Sequence, residues 1–341
     1  MQAGIFAPLD MNHRIVLLPV LLAAFIASNA QNATDAQGRK QGAWSKNWPN
    51  GQVRYKGQFK DDKPTGEFFH WDEDGLVTSK QVFAADGKNS RAQHYHPNGK
   101  LMAAGNYVGQ AKDSLWNYFD EAGLLRKVER YRAGALHGDE VSYFPDGKEA
   151  ERTSYQSNRK HGAWRQWYSD GTVKAEGNYV NGEPEGRMTW YYPSGKKEIE
   201  GSTVNGVKDG TWFYWNEDGS IQLQMVFAKG EMVKAKKENG VFKDYYEDEQ
   251  LKEEMTWKSG QLHGPFTEWY NNGTWVDKPM TPTPEGVFAG EQQRELKGQT
   301  KKREGTYVNG QLHGAVKHYD EKGALVRTEQ YTNGTLTPAS P

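Results

Sequence analysis

Nine histidines in a 341-residue chain are the first residues to weigh for chemistry, since imidazole ligates metals and moves protons near neutral pH. His94 and His96 flank Tyr95. On a strand they would share a face and could stand as two metal ligands, but no third ligand lies nearby in sequence. His137, His161, His263 and His313 each precede a glycine. They are one position seen four times, which reads as a turn residue. The acidic run YYEDEQLKEE, Tyr245 to Glu254, has carboxylates enough for a glycosidase-like pair or a calcium loop. Its place on a strand and turn, with lysine interleaved, reads instead as a solvated face. Nucleophile-elbow, zincin, phosphate-loop and dinucleotide signatures do not occur. With no cysteine, thiolate chemistry, disulfides and Cys-type zinc sites are excluded. The expectation is a protein that is not an enzyme and has no cofactor or metal.

Lys and Arg (43) nearly balance Asp and Glu (44), which gives no electrostatic case for nucleic acid and none for an anionic membrane surface. The aromatics remain. Trp (12) and Tyr (18) are abundant in a chain only 35% hydrophobic, beside 38 glycines. That is the composition of a thin, turn-rich β protein whose rings carry the packing.

The rings recur. Gly51, Gly75, Gly99, Gly123, Gly147, Gly171, Gly195 and Gly219 follow at an unbroken interval of 24 residues, and such a period marks a repeat array. Counted from Gly162 as position zero, units start at 42, 66, 90, 114, 138, 162, 186, 210, 240, 264, 290 and 314. Position +5 is aromatic in ten units, including Trp71, Tyr95, Tyr143, Trp167, Tyr191, Trp215, Tyr245 and Trp269. Position +17 is aromatic in ten as well, and Trp116, Trp164 and Trp212 stand at +2. In the unit at 162, GAWRQWY reads as a strand, SDG as a hairpin turn, TVKAEGNY as the return strand and VNGEPEG as the link. The predicted fold is therefore all-β: an elongated, single-layer antiparallel meander of about twelve 24-residue hairpins. Neighbouring +5 rings are expected to stack as ladders, with Trp164 on one face and Trp167 on the other. The eleven aromatics named above are the candidate interaction residues.

The pattern G-x-W-x-x-W-Y-x-x-G followed by E-G-x-Y-x-x-G resembles the MORN repeat, and most closely the bacterial variant of YwqK-family antitoxin proteins. Gly162, Trp164, Trp167, Tyr168, Gly171, Glu176, Gly177, Tyr179 and Gly182 carry the likeness, which extends from about Gly38 to Leu336. It implies a β-hairpin scaffold for protein association, with lipid binding in some members and, from the antitoxin label, a toxin as partner.

Before the array, a charged NHR segment, the apolar run Ile15 to Ala27 and SNAQ read as a signal peptide starting at Met11 and cut after Ala30. Export to the periplasm, the outer envelope or the medium is expected, where a cytoplasmic toxin would not be met. Residues 1–30 are thus read as leader, 31–37 as linker and 38–275 as the array. Residues 276–304 are read as an irregular insertion with a degenerate repeat, 305–336 as terminal repeats and 337–341 as a tail. The function expected is an exported scaffold for one or more protein partners. A toxin-binding immunity protein and a glycan or cell-wall binder are the alternatives. Open strand edges at the ends could pair copies end to end.

Overall fold

A computed structural model describes residues 31–279 and 292–337. The leader, the TPTPEG segment (Thr281 to Gly286), the unit start at Gly290 and tail residues 338–341 lie outside the described residues. Among the described residues every strand pair is antiparallel, and no helix occurs. The chain divides into two units, Met1–Lys88 and Asn89–Pro341. The first holds the hairpins Lys40–Asn47 with Val53–Lys60 and Lys63–Trp71 with Val77–Phe83. The second holds nine more, from Asn89–Tyr95 with Leu101–Val108 to Gly314–Tyr319 with Leu325–Thr332.

One register governs the eleven repeat hairpins among the described residues: the unit-start residue faces an aromatic or threonine on the return strand. Examples are Gly42 opposite Phe59, Gly162 opposite Tyr179 and Gly240 opposite Trp257. The turns set it. At Asn181 and Gly182 both φ angles are positive (54° and 101°), the type I′ form that Asn-Gly favours. At the Asp-Gly turn only Gly171 is left-handed (φ 97°). Tyr168 N–H donates to Thr172 O at 2.8 Å, and Gly171 N–H donates to Tyr168 O at 2.9 Å. That is a type I turn closed by a glycine bulge.

Burial is concentrated on one face, with Val141 and Thr189 buried on the other. Trp164, Ala175, Met188 and Trp212 form a buried cluster, flanked by Tyr179, Trp190, Ile199, Tyr214, Met225 and Phe227. A second cluster holds Ala92, Ala103 and Trp116. The rule behind both is a ring laid over a glycine. Gly105 lies under the Trp116 ring and Gly201 under Trp212, each so close that an added Cβ would overlap the ring. Gly57 under Phe68 and Gly177 under Met188 repeat the arrangement. The glycine is position +15 of one unit and the large side chain is +2 of the next. Each indole then donates to the carbonyl one residue past the glycine: Trp116 Nε1 to Asn106 O (3.0 Å) and Trp212 Nε1 to Ser202 O (3.1 Å). The +17 rings pack edge-on beside them, as in Trp164 with Tyr179 and Tyr107 with Trp116.

In two units that lack the glycine the face turns polar, whereas Met225 in another keeps it apolar. Glu129 and Thr153 occupy +15 in two consecutive units. Glu129 is buried, ion-paired to Lys127 at 2.6 Å and accepting from Tyr131 Oη at 2.8 Å. Trp164 Nε1 donates to Glu151 Oε1 instead of to a backbone carbonyl.

The two breaks in the period have different structures. The extra residues after Gly230 form a strand of their own, Glu231–Lys237, on Ile221–Ala228, and Gly240–Tyr245 then opens a second sheet. Further on, Gly264 faces Tyr307, so Lys301–Val308 completes the unit opened at 264. Thr274–Asp277 pairs with Arg294–Lys297 as an inserted hairpin in a separate two-stranded sheet. This corrects the reading of a degenerate repeat at 290 with Glu295 at +5. The insertion is two residues longer than one period, so counting alone mistakes it for a unit. A glutamine pair anchors it: Gln250 Nε2 donates to Gly273 O (2.9 Å), and Gln299 Nε2 donates to Leu251 O and Tyr270 O.

Candidate binding groove on the open face

The eleven candidate aromatics separate into two sets. Trp116, Trp164 and Trp212 are 1%, 8% and 3% exposed. Trp116 and Trp212 lie over glycines and are closed to a partner, which corrects their reading as interaction residues, while Trp164 lies beside Glu151 and also lines the groove described below. Trp71, Tyr95, Tyr143, Trp167, Tyr191, Trp215 and Trp269 are half-buried, and Tyr245 is 56% exposed. These +5 residues follow a register shift at the end of each first strand, such as that between Gln166 and Trp167.

The +5 rings do not stack on one another as expected. Among the described residues, no ring pair joins any two of Tyr143, Trp167, Tyr191, Trp215, Tyr245 and Trp269. They pack within their own strand, as Phe213 does on Trp215 and Phe69 on Trp71. Others reach sideways to a carboxylate: Tyr191 Oη donates to Glu176 at 2.7 Å and Tyr319 Oη to Glu304 at 2.6 Å. The ladder between units is built one residue later, at +6. Tyr168, Tyr192 and Tyr246 donate their hydroxyls to the carbonyls of Tyr191, Trp215 and Trp269. Trp48 Nε1 does the same to Trp71 O at 3.0 Å. Tyr168 is visible in the repeat motif, but only the register shows that it ties two units together.

Across the open face at mid-strand, Val128, Val141, Arg152, Arg165, Glu176, Thr189 and Glu200 stand side by side on successive strands. Around Trp167 this row sinks into a groove of about 480 Å³, lined by Ala163, Thr189 and Gly177, by Arg152, Arg165, Glu176 and Arg187, and by Trp164. Arg165 Nη2 meets Glu176 Oε2 at 2.5 Å, and Arg152 meets Asp139 at 3.0 Å and Glu149 at 2.5 Å. The Tyr191 hydroxyl, and then Arg165, hold the Glu176 carboxyl below the usual carboxylate range. Arg187 is exposed and has no ion pair or side-chain hydrogen bond among the described residues.

The histidines are placed apart from this groove. His94 stacks on Trp116 (5.9 Å, 25°), and burial lowers its pKa. His96 Nε2–H donates to Phe119 O at 2.9 Å, filling the inter-unit position that tyrosine takes elsewhere. His161 and His263 accept at Nδ1 from the Asn181 and Asn309 N–H groups in the closing turns. Among the described residues no three His, Asp or Glu side chains gather as a metal site.

The shared register and the paired turns define the repeating unit, and a large side chain over glycine joins several units to the next. Six segments match the MORN repeat variant. They are residues 40–61, 88–108, 160–181, 184–205, 238–259 and 312–333. The units left unmatched are those that start at 66, 114, 138, 210 and 264. No curated protein matches the chain. Among solved structures, TarM is 22% identical over 30% of this chain and 19% of its own, with a TM-score of 0.21. The TcdB2-TccC3-Cdc42 structure is 10% identical over 87% of this chain and 17% of its own, with a TM-score of 0.18. The TcdB2-TccC3 structure without the hypervariable C-terminal region is 10% identical over 84% and 19%, also at 0.18. The chain spans less than a fifth of the length of each of these structures.

Proposed function

We propose that this chain is an exported, non-enzymatic MORN-type scaffold that holds a protein partner on its open face. MORN repeats generally mediate protein or membrane interactions. The observation that carries the reading is the division of labour between faces. The +2 rings are spent on packing, while the +5 rings stay half-exposed on the opposite face, beside a groove with an unpartnered arginine. A row of partly exposed aromatics in successive units suits multivalent binding of one extended partner.

The test is capture from envelope extract with the tagged chain, comparing wild type with Trp167→Ala/Trp215→Ala, alongside fractionation of the cells. A specific protein held by wild type and lost from the folded variant supports the reading. An identical set of proteins on both refutes the open face, and recovery of the chain in the cytosol alone refutes export.

A further inference from the structure

We infer that the groove beside Trp167 recognises an extended acidic segment of the partner, one in which a Glu or Asp is flanked by an aromatic or aliphatic residue. The inference rests on the scaffold reading and names what the partner presents. Arg152 and Arg165 face each other directly across two strands. Like charges so placed oppose strand pairing, and here each is offset sideways, Arg152 by Asp139 and Glu149, Arg165 by Glu176. The offset is unequal. Arg152 engages Nε, Nη1 and Nη2, whereas Arg165 makes its one side-chain bond through Nη2. A guanidinium has five N–H donors, so among the described residues Arg165 keeps most of them, and Arg187, on the strand Gly186–Tyr191, keeps all of its own. Two guanidiniums with free donors lining one groove are suited to a carboxylate, which a guanidinium can grip in bidentate fashion.

The surroundings narrow the class. Trp167 gives the groove an apolar wall, which suits a ring or aliphatic chain next to the acid. Glu176 and, one strand beyond Thr189, Glu200 border the arginines, and they would repel a dense polyanion such as nucleic acid or a packed anionic membrane. The site therefore fits single carboxylates spaced by apolar residues.

The test is fluorescence anisotropy of the folded mature chain with a labelled peptide of alternating Glu and Leu, against the same peptide with Gln for Glu. Expected is binding of the Glu peptide at least about ten-fold tighter, lost by about ten-fold in Arg187→Gln and weakened as salt rises from about 50 to about 500 mM. Arg187→Glu should regain affinity for a Lys and Leu peptide. Equal binding of the Glu and Gln peptides, or an unchanged Arg187→Gln, overturns the proposal, as does Arg187-dependent binding of anionic vesicles with none of the peptide. Circular dichroism of each variant checks that it folds. If the captured envelope partner is lost with Trp167→Ala/Trp215→Ala yet held by Arg187→Gln, the acidic-segment proposal fails while the scaffold reading stands.

Discussion

Replacing Gly201 by alanine isolates the interaction that joins one unit to the next. Gly201 lies on the strand Lys197–Val204 without a positive φ, so alanine suits its backbone and would ordinarily stabilise a strand by about 0.5–1 kcal/mol. The three atoms nearest the added Cβ all belong to the Trp212 ring, and all lie far inside the 3.4 Å of ordinary contact. The ring must leave its seat. Overpacking of this kind costs about 1–3 kcal/mol, and the Trp212 Nε1 bond to Ser202 O, worth about 1 kcal/mol, goes with it. Gly201→Ala should therefore destabilise by about 2–4 kcal/mol. In a Trp212→Ala background the same change meets no ring and should be neutral or slightly stabilising, so the two substitutions couple by about 3 kcal/mol. Because a repeat array need not unfold in one step, the readout is amide exchange in the strands Lys197–Val204 and Val207–Trp215, supported by urea midpoints. An equal cost in both backgrounds, within about 0.5 kcal/mol, would refute the ring-over-glycine account.

Trp164→Ala should cost about 3–5 kcal/mol, whereas Trp167→Ala should stay within about 1 kcal/mol, and urea melts of the pair check which face holds the fold. Tyr168→Phe removes the hydroxyl bonded to Tyr191 O and should cost about 1 kcal/mol, seen as faster exchange in the turn after Tyr191. Gln250→Ala removes the bonds to Gly273, so limited proteolysis should cut within 274–297 sooner while the rest of the array persists. In the last hairpin, Arg327, His318 and Tyr331 bring the Glu329 pKa from 4.5 down to about 2. A depressed acid stabilises above its unfolded pKa and is lost as pH falls through the folded one. That hairpin should therefore loosen between about pH 4.5 and 2 by amide exchange, and Glu329→Gln should flatten the dependence.

The repeat, the hairpin turns and the two-faced placement of Trp164 and Trp167 were legible in the sequence, because turn glycines and a period of two are local properties. The identity of the packing ring was not. Position +5 is aromatic as often as any, yet it is position +15 that decides. Trp212 can bury only because Gly201 clears a space beneath it, and that pairing needs the inter-strand register. The inserted hairpin escaped for a similar reason: its length imitates a period, and only the pairing of Gly264 with Tyr307 exposes it. The groove was beyond the sequence as well. Arg152, Arg165 and Arg187 look like scattered surface charges until strand order sets them side by side.

The ring-over-glycine contact has a direction along the chain. Each ring belongs to the later unit and each seat to the earlier one, eleven residues before it in the case of Gly201 and Trp212. An array shortened at its C-terminal side would thus be left with an empty, glycine-floored depression, which water can cover. One shortened at its N-terminal side would be left with an indole or phenyl ring that has lost its seat, a sticky end inviting self-association. The same number of units removed from opposite ends should leave one fragment soluble and the other prone to aggregate.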